Sequence, residues 1–265
     1  MSLSDRSGGS DIPILPGERA DDLQFGGLRI LQKDGAFHFG TDAVLLSDFV
    51  TLKKRDRVVD FGAGTGIIAL LLAAHHPDIR VDAVEIQPDM ADMALRSVKM
   101  NALQNRVTVH AADIKETPAI LGHGTADAVV CNPPYSRPGA ALLPENENKR
   151  LSRMESGITI QEICRAAFLV LKTGGRLSVV FPAQRMFEMM TAMQNERLSP
   201  KRVRMVYASV RHAPRLVLMD AVKQGGAQLD CLAPLILSEE NGELSAEWKR
   251  IYAPRALSEN RESAF

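Results

Sequence analysis

Short apolar runs alternate with longer segments through the middle of this chain. The short runs are bounded by glycine, proline or polar residues and predict strands at 57–61, 80–85, 106–110, 126–131 and 176–181. The longer segments between them predict helices at 41–50, 67–75, 88–101, 113–121, 158–171 and 184–196. Because strands alternate with helices, we expect an α/β fold with a mostly parallel sheet and helices on both faces.

The two ends of the chain depart from this alternation. Near the start, residues 28–31 and 37–39 flank an Asp34-Gly35 pair, which is typical of a tight hairpin turn, and Thr41 is the predicted N-cap of the next helix. Near the end, β-like segments with little helix between them predict antiparallel strands at one sheet edge, at 203–209, 215–223 and 232–237. We expect a single domain over residues 21–253. The two ends, residues 1–20 and 254–265, should be disordered.

The composition is that of an ordinary globular protein, with 45% hydrophobic residues, 24% charged residues and a formal net charge of zero. A neutral chain has no global field that attracts nucleic acid, so such binding needs a local basic patch. The three cysteines form no CxxC pair and suggest neither a disulfide framework nor a metal site. No apolar run could span a bilayer and the N-terminus lacks a secretory signal, so we expect a cytoplasmic protein with no membrane contact and no obligate protein partner.

The first strand of the alternation is joined to its helix by a glycine-rich turn, Asp60-Phe61-Gly62-Ala63-Gly64-Thr65-Gly66. Glycines let the backbone turn sharply and lie close to a ligand, at the strand end where open α/β sheets bind their ligands. The spacing G-x-G-x-G is one residue shorter than the G-x-G-x-x-G of dinucleotide sites. No Gly-Lys-Ser/Thr follows, so the turn is not a P-loop.

Three acidic residues lie at the ends of the predicted strands beside this turn. Glu85 ends the second strand, where a carboxylate can accept both ribose hydroxyls of a nucleoside. Asp113 follows the third strand and can either accept from an adenine amino group or cap the next helix. Asp60 can hold the turn, or it can reach the amine of a ligand that contains a methionine group. The turn and the acids together favour a nucleoside cofactor over a turn that serves packing alone.

The most specific motif in the chain is Asn132-Pro133-Pro134-Tyr135, which directly follows the fourth strand. Two prolines fix φ twice and remove two backbone donors, so the nearby carbonyls face a ligand as acceptors in a stiff frame. The Asn132 side chain adds an acceptor, and Tyr135 supplies a flat face on which a ring can stack. This combination suits an exocyclic amino group, because acceptors on its N–H bonds favour a tetrahedral nitrogen whose lone pair can attack an activated methyl group.

Together these motifs resemble the class I S-adenosylmethionine-dependent methyltransferases. Within that class, residues 31–46, the tetrad and the 176–182 strand are similar to the family that methylates N6 of the adenine 3′ of the anticodon in a valine tRNA. The resemblance implies a Rossmann-like, seven-stranded sheet and S-adenosyl-L-methionine as cofactor, with S-adenosyl-L-homocysteine as product. It also implies a tRNA partner and no DNA.

The resemblance also implies which residues form the site. Residues 21–50 would cap the cofactor, which would contact Phe39, Thr41, Asp60, Gly62, Gly64, Gly66, Glu85, Ile86, Asp113 and Asn132. The reaction would take place on the tetrad of Asn132, Pro133, Pro134 and Tyr135. The polar segment 136–155 follows the tetrad, and we interpret it as a mobile loop over the active site.

An RNA substrate needs basic side chains near the active site, to bind phosphates. Two groups, after the tetrad and near the tail strands, are the predicted RNA ligands: Arg150, Arg153, Lys201, Arg202, Arg204 and Arg211. The second group continues in His212 and Arg215, and a third basic group comprises Lys53, Lys54, Arg55 and Arg57.

Other acceptors and other classes of protein stay open at this point. N5-glutamine methyltransferases of translation release factors share the tetrad, typically with an extra helical domain before the glycine turn. Guanine-N2 methyltransferases of ribosomal RNA use a similar tetrad, usually ending in Phe. A DNA adenine methylase would need a target-recognition insert, which is not evident. The glycine spacing argues against a nicotinamide dehydrogenase, and the intact tetrad argues against a non-catalytic RNA-binding protein.

Overall fold

The computed structural model describes residues 12–34, 40–133 and 157–252. Several predictions concern segments outside these ranges: the second half of the hairpin around Asp34-Gly35, the loop 136–155 and the tail 254–265. The same holds for five predicted site residues, namely Phe39, Pro134, Tyr135, Arg150 and Arg153.

An antiparallel hairpin precedes the main sheet. Its strands are β1 (Glu18–Asp22) and β2 (Arg29–Lys33), with Ala20 opposite Leu31. The strand that pairs with β2 thus precedes it in the chain, whereas we expected a partner after the Asp34-Gly35 turn. Strand β1 also begins inside the segment 1–20 that we expected to be disordered. The polar sequence of β1 shows no apolar alternation, so only its pairing with β2 defines it as a strand.

The turn of this hairpin is held in the core by apolar side chains. Leu23, Phe25 and Leu28 are buried, and the N–H of Leu23 donates to the carbonyl oxygen of Leu28 at 2.9 Å. Gly26 and Gly27 between them both have positive φ, which lets the chain reverse tightly. This burial anchors the hairpin against the domain. Strand β2 packs on the helix Pro88–Met100, where the N–H of Leu31 donates to the Ser97 hydroxyl at 2.9 Å.

The central sheet has nine strands. Five of them are parallel and close to the predicted strands: β3 (Arg57–Phe61), β4 (Arg80–Glu85), β5 (Val107–Ala111), β6 (Ala126–Cys131) and β7 (Leu171–Pro182). In space they are ordered β5-β4-β3-β6-β7. Next to β7 lie two antiparallel strands, β9 (Leu216–Lys223) and then β8 (Leu198–Ser209). These strands confirm the predicted α/β class with an antiparallel C-terminal edge.

Two short strands complete the outer edge, β10 (Asp230–Cys231) and β11 (Leu235–Ser238). Both pair with β8 in the parallel sense, whereas we expected the segment 232–237 to be antiparallel. The sheet therefore has seven long strands, as the resemblance implied, and two short additions.

Seven helices of the described residues flank the sheet. They are α1 (Thr41–Phe49), α2 (Ile67–His75), α3 (Pro88–Met100), α4 (Thr117–Leu121), α5 (Ile160–Val170), α6 (Met186–Asn195) and α7 (Ala246–Tyr252). Side chains alternate between the two faces of a strand, so Val58 and Val59 of β3 belong to different apolar clusters. The hairpin, α1, α2, α3 and α7 pack into the cluster of Val58, and α4, α5 and α6 into that of Val59. None of the described helices is long and apolar enough to cross a membrane.

Two predicted helix ends were wrong. The N-cap of α1 is Gly40, and Thr41 is the first residue of the helix. Residues 172–175 were expected to close α5, but they lie within β7, because Leu171 already pairs with Ala126. Gly175 is needed at this crowded position, since an added Cβ would lie 2.9 Å from the Lys172 carbonyl oxygen.

Gly66 should be the glycine of the turn that tolerates a side chain least. Its φ is +90°, and an added Cβ would lie 3.2 Å from the Cβ of Ala94 on α3. We expect Gly66→Ala to lower the free energy of unfolding by about 1–3 kcal/mol in urea denaturation. The control is Gly226→Ala, where the nearest atom to the added Cβ is a lysine Nζ at 3.9 Å and the effect should be small. Equal stability of the two variants would contradict this packing role.

Candidate active site

A cleft of about 340 Å³ opens at the carboxyl edge of the parallel strands. The glycine turn after β3, the end of β4, the junction after β5, the end of β6 and the start of α5 all contribute to its lining. Seven predicted site residues line it together: Gly62, Gly64, Glu85, Ile86, Asp113, Asn132 and Pro133. They come together because parallel strands end at the same edge of the sheet.

Glu85 connects two segments of the cleft through its carboxylate. One oxygen, Oε2, accepts from the N–H of Gly64 at 2.7 Å, and Oε1 accepts from the N–H of Gln87 at 2.9 Å. Burial raises the pKa of Glu85, and the backbone donors oppose this effect. The residue thus ties the glycine turn to the end of β4, and each oxygen keeps a further lone pair for a ligand.

At Gly62 and Gly64 the backbone of the turn borders the empty space of the cleft. Their φ angles are +69° and +56°, and no atom lies within 4 Å of a Cβ added at either position. The backbone is thus in a conformation that favours glycine, and it borders empty space in the cleft. Gly66 differs, because it faces Ala94 of α3 and does not line the cleft.

Asp60 lies behind the turn and is fully buried. Its Oδ2 accepts from the N–H of Ala69 at 3.1 Å, while Oδ1 has no hydrogen-bond partner among the described residues. Asp60 does not line the cleft, and its hydrogen bond links β3 to α2 on either side of the turn, so its contact with the cofactor stays a prediction. Burial raises the pKa of Asp60 to about 7, with a smaller contribution from the nearby charge of Glu85.

Asp113 caps a turn and also lines the cleft. Its Oδ1 accepts from the N–H of Lys115 at 2.9 Å, and the Glu116 side chain accepts from the N–H of Asp113 in return. Its Oδ2 lies 3.2 Å from the Lys115 Nζ. Asp113 therefore caps the turn and lines the cleft at once, and its acceptance from an adenine amino group stays a prediction.

Asn132 and Pro133 extend from the end of β6 into the cleft. Cys131, which precedes them, pairs with Phe61 of β3, so the tetrad begins level with the glycine turn. Asn132 is partly exposed and Pro133 is buried. Of the other predicted cofactor residues, Thr41 does not line the cleft, and Phe39 lies outside the described residues.

The sequence analysis missed several residues of the cleft, most clearly Gln32 and Lys33 of β2. The Gln32 Oε1 accepts from the Arg19 guanidinium at 3.2 Å, which turns the amide nitrogen away from β1. Lys33 forms an ion pair with Asp89 at the start of α3. The resemblance implied that residues 21–50 cap the cofactor, but it did not single out these two side chains. Their entry into the cleft depends on where the hairpin packs. Other residues missed are Phe61, Thr65, Gln87, Met90, Ile114, Cys131, Ile158 and Ile163.

The basic residues near the tail strands fall into two sets. The Arg202 guanidinium bonds to Asp220 and lies 4.6 Å above the ring of Phe49, and Arg204 donates to both carboxylate oxygens of Glu247 at 2.8 Å. The Lys201 ammonium donates to the carbonyl oxygens of Gly226 and Gln228. Arg211 is different, because 73% of its side chain is exposed. The predicted RNA contacts of the first three residues would have to compete with these internal partners.

Among the described residues, no group of three or more His, Cys, Asp or Glu side chains is arranged to hold a metal ion. The polar side chains of the cleft are two carboxylates, three amides, the Thr65 hydroxyl and the Lys33 ammonium, beside backbone atoms of the glycine turn. This donor set suits hydrogen bonds to an organic ligand.

The raised pKa of Asp60 has a consequence for stability. The unfolded chain ionises this carboxyl near its usual 3.8, whereas the folded protein keeps the proton up to about 7. Between these values the folded state binds more protons, so Asp60 makes the free energy of unfolding fall as pH rises, with no further loss above about 7. We expect Asp60→Asn to flatten this slope in urea denaturation. Asp127→Asn, whose carboxyl has a lowered pKa, is the control that should leave it unchanged.

The sequence is similar to known methyltransferases. The family model described as the methyltransferase small domain matches residues 33–198. A Porphyromonas gingivalis protein named tRNA1(Val) (adenine(37)-N6)-methyltransferase is 28% identical over 207 residues, which cover 76% of this chain and 80% of the relative. A Yersinia pestis protein of the same name is 32% identical over 148 residues, 56% of this chain and 58% of the relative. The latter match therefore spans less than two thirds of either protein.

Solved structures share the fold. A predicted O-methyltransferase from Agrobacterium tumefaciens superposes with a TM-score of 0.67 at 24% identity, over 81% of this chain and 97% of that chain. A geranyl diphosphate C-methyltransferase from Streptomyces coelicolor, solved with S-adenosyl-L-homocysteine, gives a TM-score of 0.51 at 16% identity, over 68% and 79% of the two chains. At these sequence identities the two solved structures show only that the fold is shared. The family model matches more than half of the chain and therefore shows the family. The chain therefore belongs to the methyltransferase small domain family and is an S-adenosyl-L-methionine-dependent methyltransferase.

Proposed function

We propose that this methyltransferase acts on an exocyclic amino nitrogen, namely N6 of an adenine in a tRNA anticodon loop. The observation that carries the proposal is the position of Asn132 and Pro133, which enter the same cleft as Gly62 and Glu85. The tetrad would thus meet a planar amino group beside the cofactor. The names of the Porphyromonas and Yersinia relatives support adenine and tRNA as the acceptor.

S-adenosyl-L-methionine supplies a methyl group on a positively charged sulfur. Glu85 would accept from the ribose hydroxyls with the lone pairs that Gly64 and Gln87 leave free. Gly62 and Gly64 would let the cofactor lie against the backbone, since there is open space where a Cβ would be. The Asp113 carboxylate, which lines the cleft, would accept from the adenine amino group.

The tetrad would hold the acceptor nitrogen by its two N–H bonds. The Asn132 side-chain oxygen would accept one and the Pro133 carbonyl oxygen the other, which favours a tetrahedral nitrogen with its lone pair free. The proton is lost after transfer, when the nitrogen is acidic, so no strong base is required. Positioning and electrostatics supply the catalysis. The target base must leave its stack, which costs least in a single-stranded loop.

A nucleoside assay tests the acceptor. The protein is incubated with unmodified tRNA and labelled S-adenosyl-L-methionine, and the RNA is digested to nucleosides. We expect label in N6-methyladenosine, and on the order of 100-fold slower labelling with the Asn132→Ala protein, which serves as the matched control. Label in methylguanosine, or in a glutamine of a release factor supplied instead of tRNA, would rule out adenine as the acceptor.

Two substitutions in the cleft should separate catalysis from cofactor binding. Asn132→Ala removes an acceptor for the substrate amino group, so kcat should fall on the order of 100-fold while the Kd for S-adenosyl-L-homocysteine changes little. Glu85→Gln places an amide donor against the N–H of Gly64 or Gln87, so the same Kd should rise roughly tenfold or more. Calorimetric titration and single-turnover kinetics measure the two quantities. Loss of cofactor binding in Asn132→Ala with normal turnover would refute the role of Asn132.

A further inference from the structure

The loop between β8 and β9 lies at the same edge of the sheet as the cleft. Leu216, the first residue of β9, pairs with Pro182 at the end of β7, and the N–H of Ala183 donates to the Arg215 carbonyl oxygen at 3.0 Å. Strand β7 is in turn the neighbour of β6, which leads into the tetrad. The start of β9 is therefore two strand spacings, about 10 Å, to the side of β6.

Two arginines of this loop are exposed and available. Arg215 is exposed, and its guanidinium pairs with no carboxylate of the residues that the structure describes. The Arg211 Nη2 lies 3.7 Å from the Glu240 Oε2, but both side chains are about two-thirds exposed or more, at 73% and 67%. Such an exposed pair is weak, so a phosphate could replace Glu240. Arg202 and Arg204 differ, because each bonds to a carboxylate within the protein.

Phe187 supplies an exposed aromatic ring at the same edge. It is the second residue of α6, which begins one short 3₁₀ turn after β7 ends. Its relative exposure of 82% is the largest of any described large hydrophobic residue. The turn that carries it is held in place, because Arg185 donates to Glu188 at 2.8 Å and lies 4.8 Å above the ring of Phe181. Ala183, bonded to Arg215, lies one helical turn before Phe187.

An exposed ring at the same edge as two exposed guanidinium groups fits single-stranded RNA. Unstacked bases bind to aromatic faces, and arginines neutralise the phosphates between them. We propose that Phe187, Arg211 and Arg215 form a rim surface that binds the nucleotides flanking the target base. This inference rests on the proposed RNA substrate. It selects Arg211 and Arg215 from the predicted basic group near the tail strands and adds Phe187, which was not an expected RNA ligand.

The position of the third basic group provides a matched control. Lys53 and Lys54 are exposed and precede β3, so they lie at the amino edge of the sheet, opposite to the cleft. Reversal of their charges changes the net charge of the protein as much as reversal at Arg211 and Arg215. A non-specific electrostatic effect would therefore appear in both pairs of variants.

The test compares Arg211→Glu/Arg215→Glu with Lys53→Glu/Lys54→Glu. Binding of unmodified tRNA is measured at several salt concentrations, with S-adenosyl-L-homocysteine affinity and melting temperature as checks on folding. We expect the rim pair to raise the Kd for tRNA by roughly tenfold or more and to reduce the log–log salt slope by about 2. The control pair should change the Kd less than about twofold, and neither pair should alter cofactor affinity.

Phe187→Ala separates stacking from charge. It should raise the KM for tRNA by roughly tenfold without changing the salt slope, and Phe187→Trp should restore binding. The rim surface would be overturned if the two charge reversals changed the Kd for tRNA equally. It would also be overturned if the rim pair left that Kd unchanged, or if Phe187→Ala left the KM for tRNA unchanged. If wild-type protein methylates tRNA in that case, the proposed function stands without the surface. If wild-type protein methylates no RNA, the proposed function itself fails.

Discussion

The carboxylate of Glu85 determines the shape of the cleft. Its two backbone hydrogen bonds join the turn after β3 to the segment after β4, and they add to the bonds that the N–H groups of Gly62 and Ala63 donate to the Val84 carbonyl oxygen. A buried carboxylate is costly without such donors, so the charge and the turn stabilise each other. Gly64 can present its N–H only because it adopts a positive φ, and a side chain there would be strained.

Several polar groups of the site hold neighbouring segments in place and also face the space that a ligand would occupy. Asp113 caps the turn after β5 and still faces the cleft, and Gln32 is oriented by Arg19 while its amide borders the same space. Groups that are held in this way lose little freedom when a ligand binds. Methyl transfer from an already activated cofactor depends on such positioning more than on a strong acid or base.

The distribution of basic residues shows why charge in sequence is a poor guide to a binding surface. Lys201, Arg202 and Arg204 look like a patch in the sequence, yet each has acceptors within the protein. Arg211 and Arg215 come only a few residues later, but they follow β8 beyond the end of the sheet and reach the edge that carries the cleft. The difference lies in the register of β8 and β9, which brings Asp220 opposite Arg202.

The sequence by itself determined the parallel core, the glycine turn, the acids at the strand ends and the start of the tetrad, because each depends on neighbours within a few residues. The strands β3, β4 and β6 and the helix α2 have the predicted bounds for this reason. Only the tertiary structure decided the pairing of β1 with β2, the parallel addition of β11 and the entry of Gln32 into the cleft. These features arise from contacts between distant segments, whose energy depends on which surfaces meet and leaves no periodic pattern in the chain.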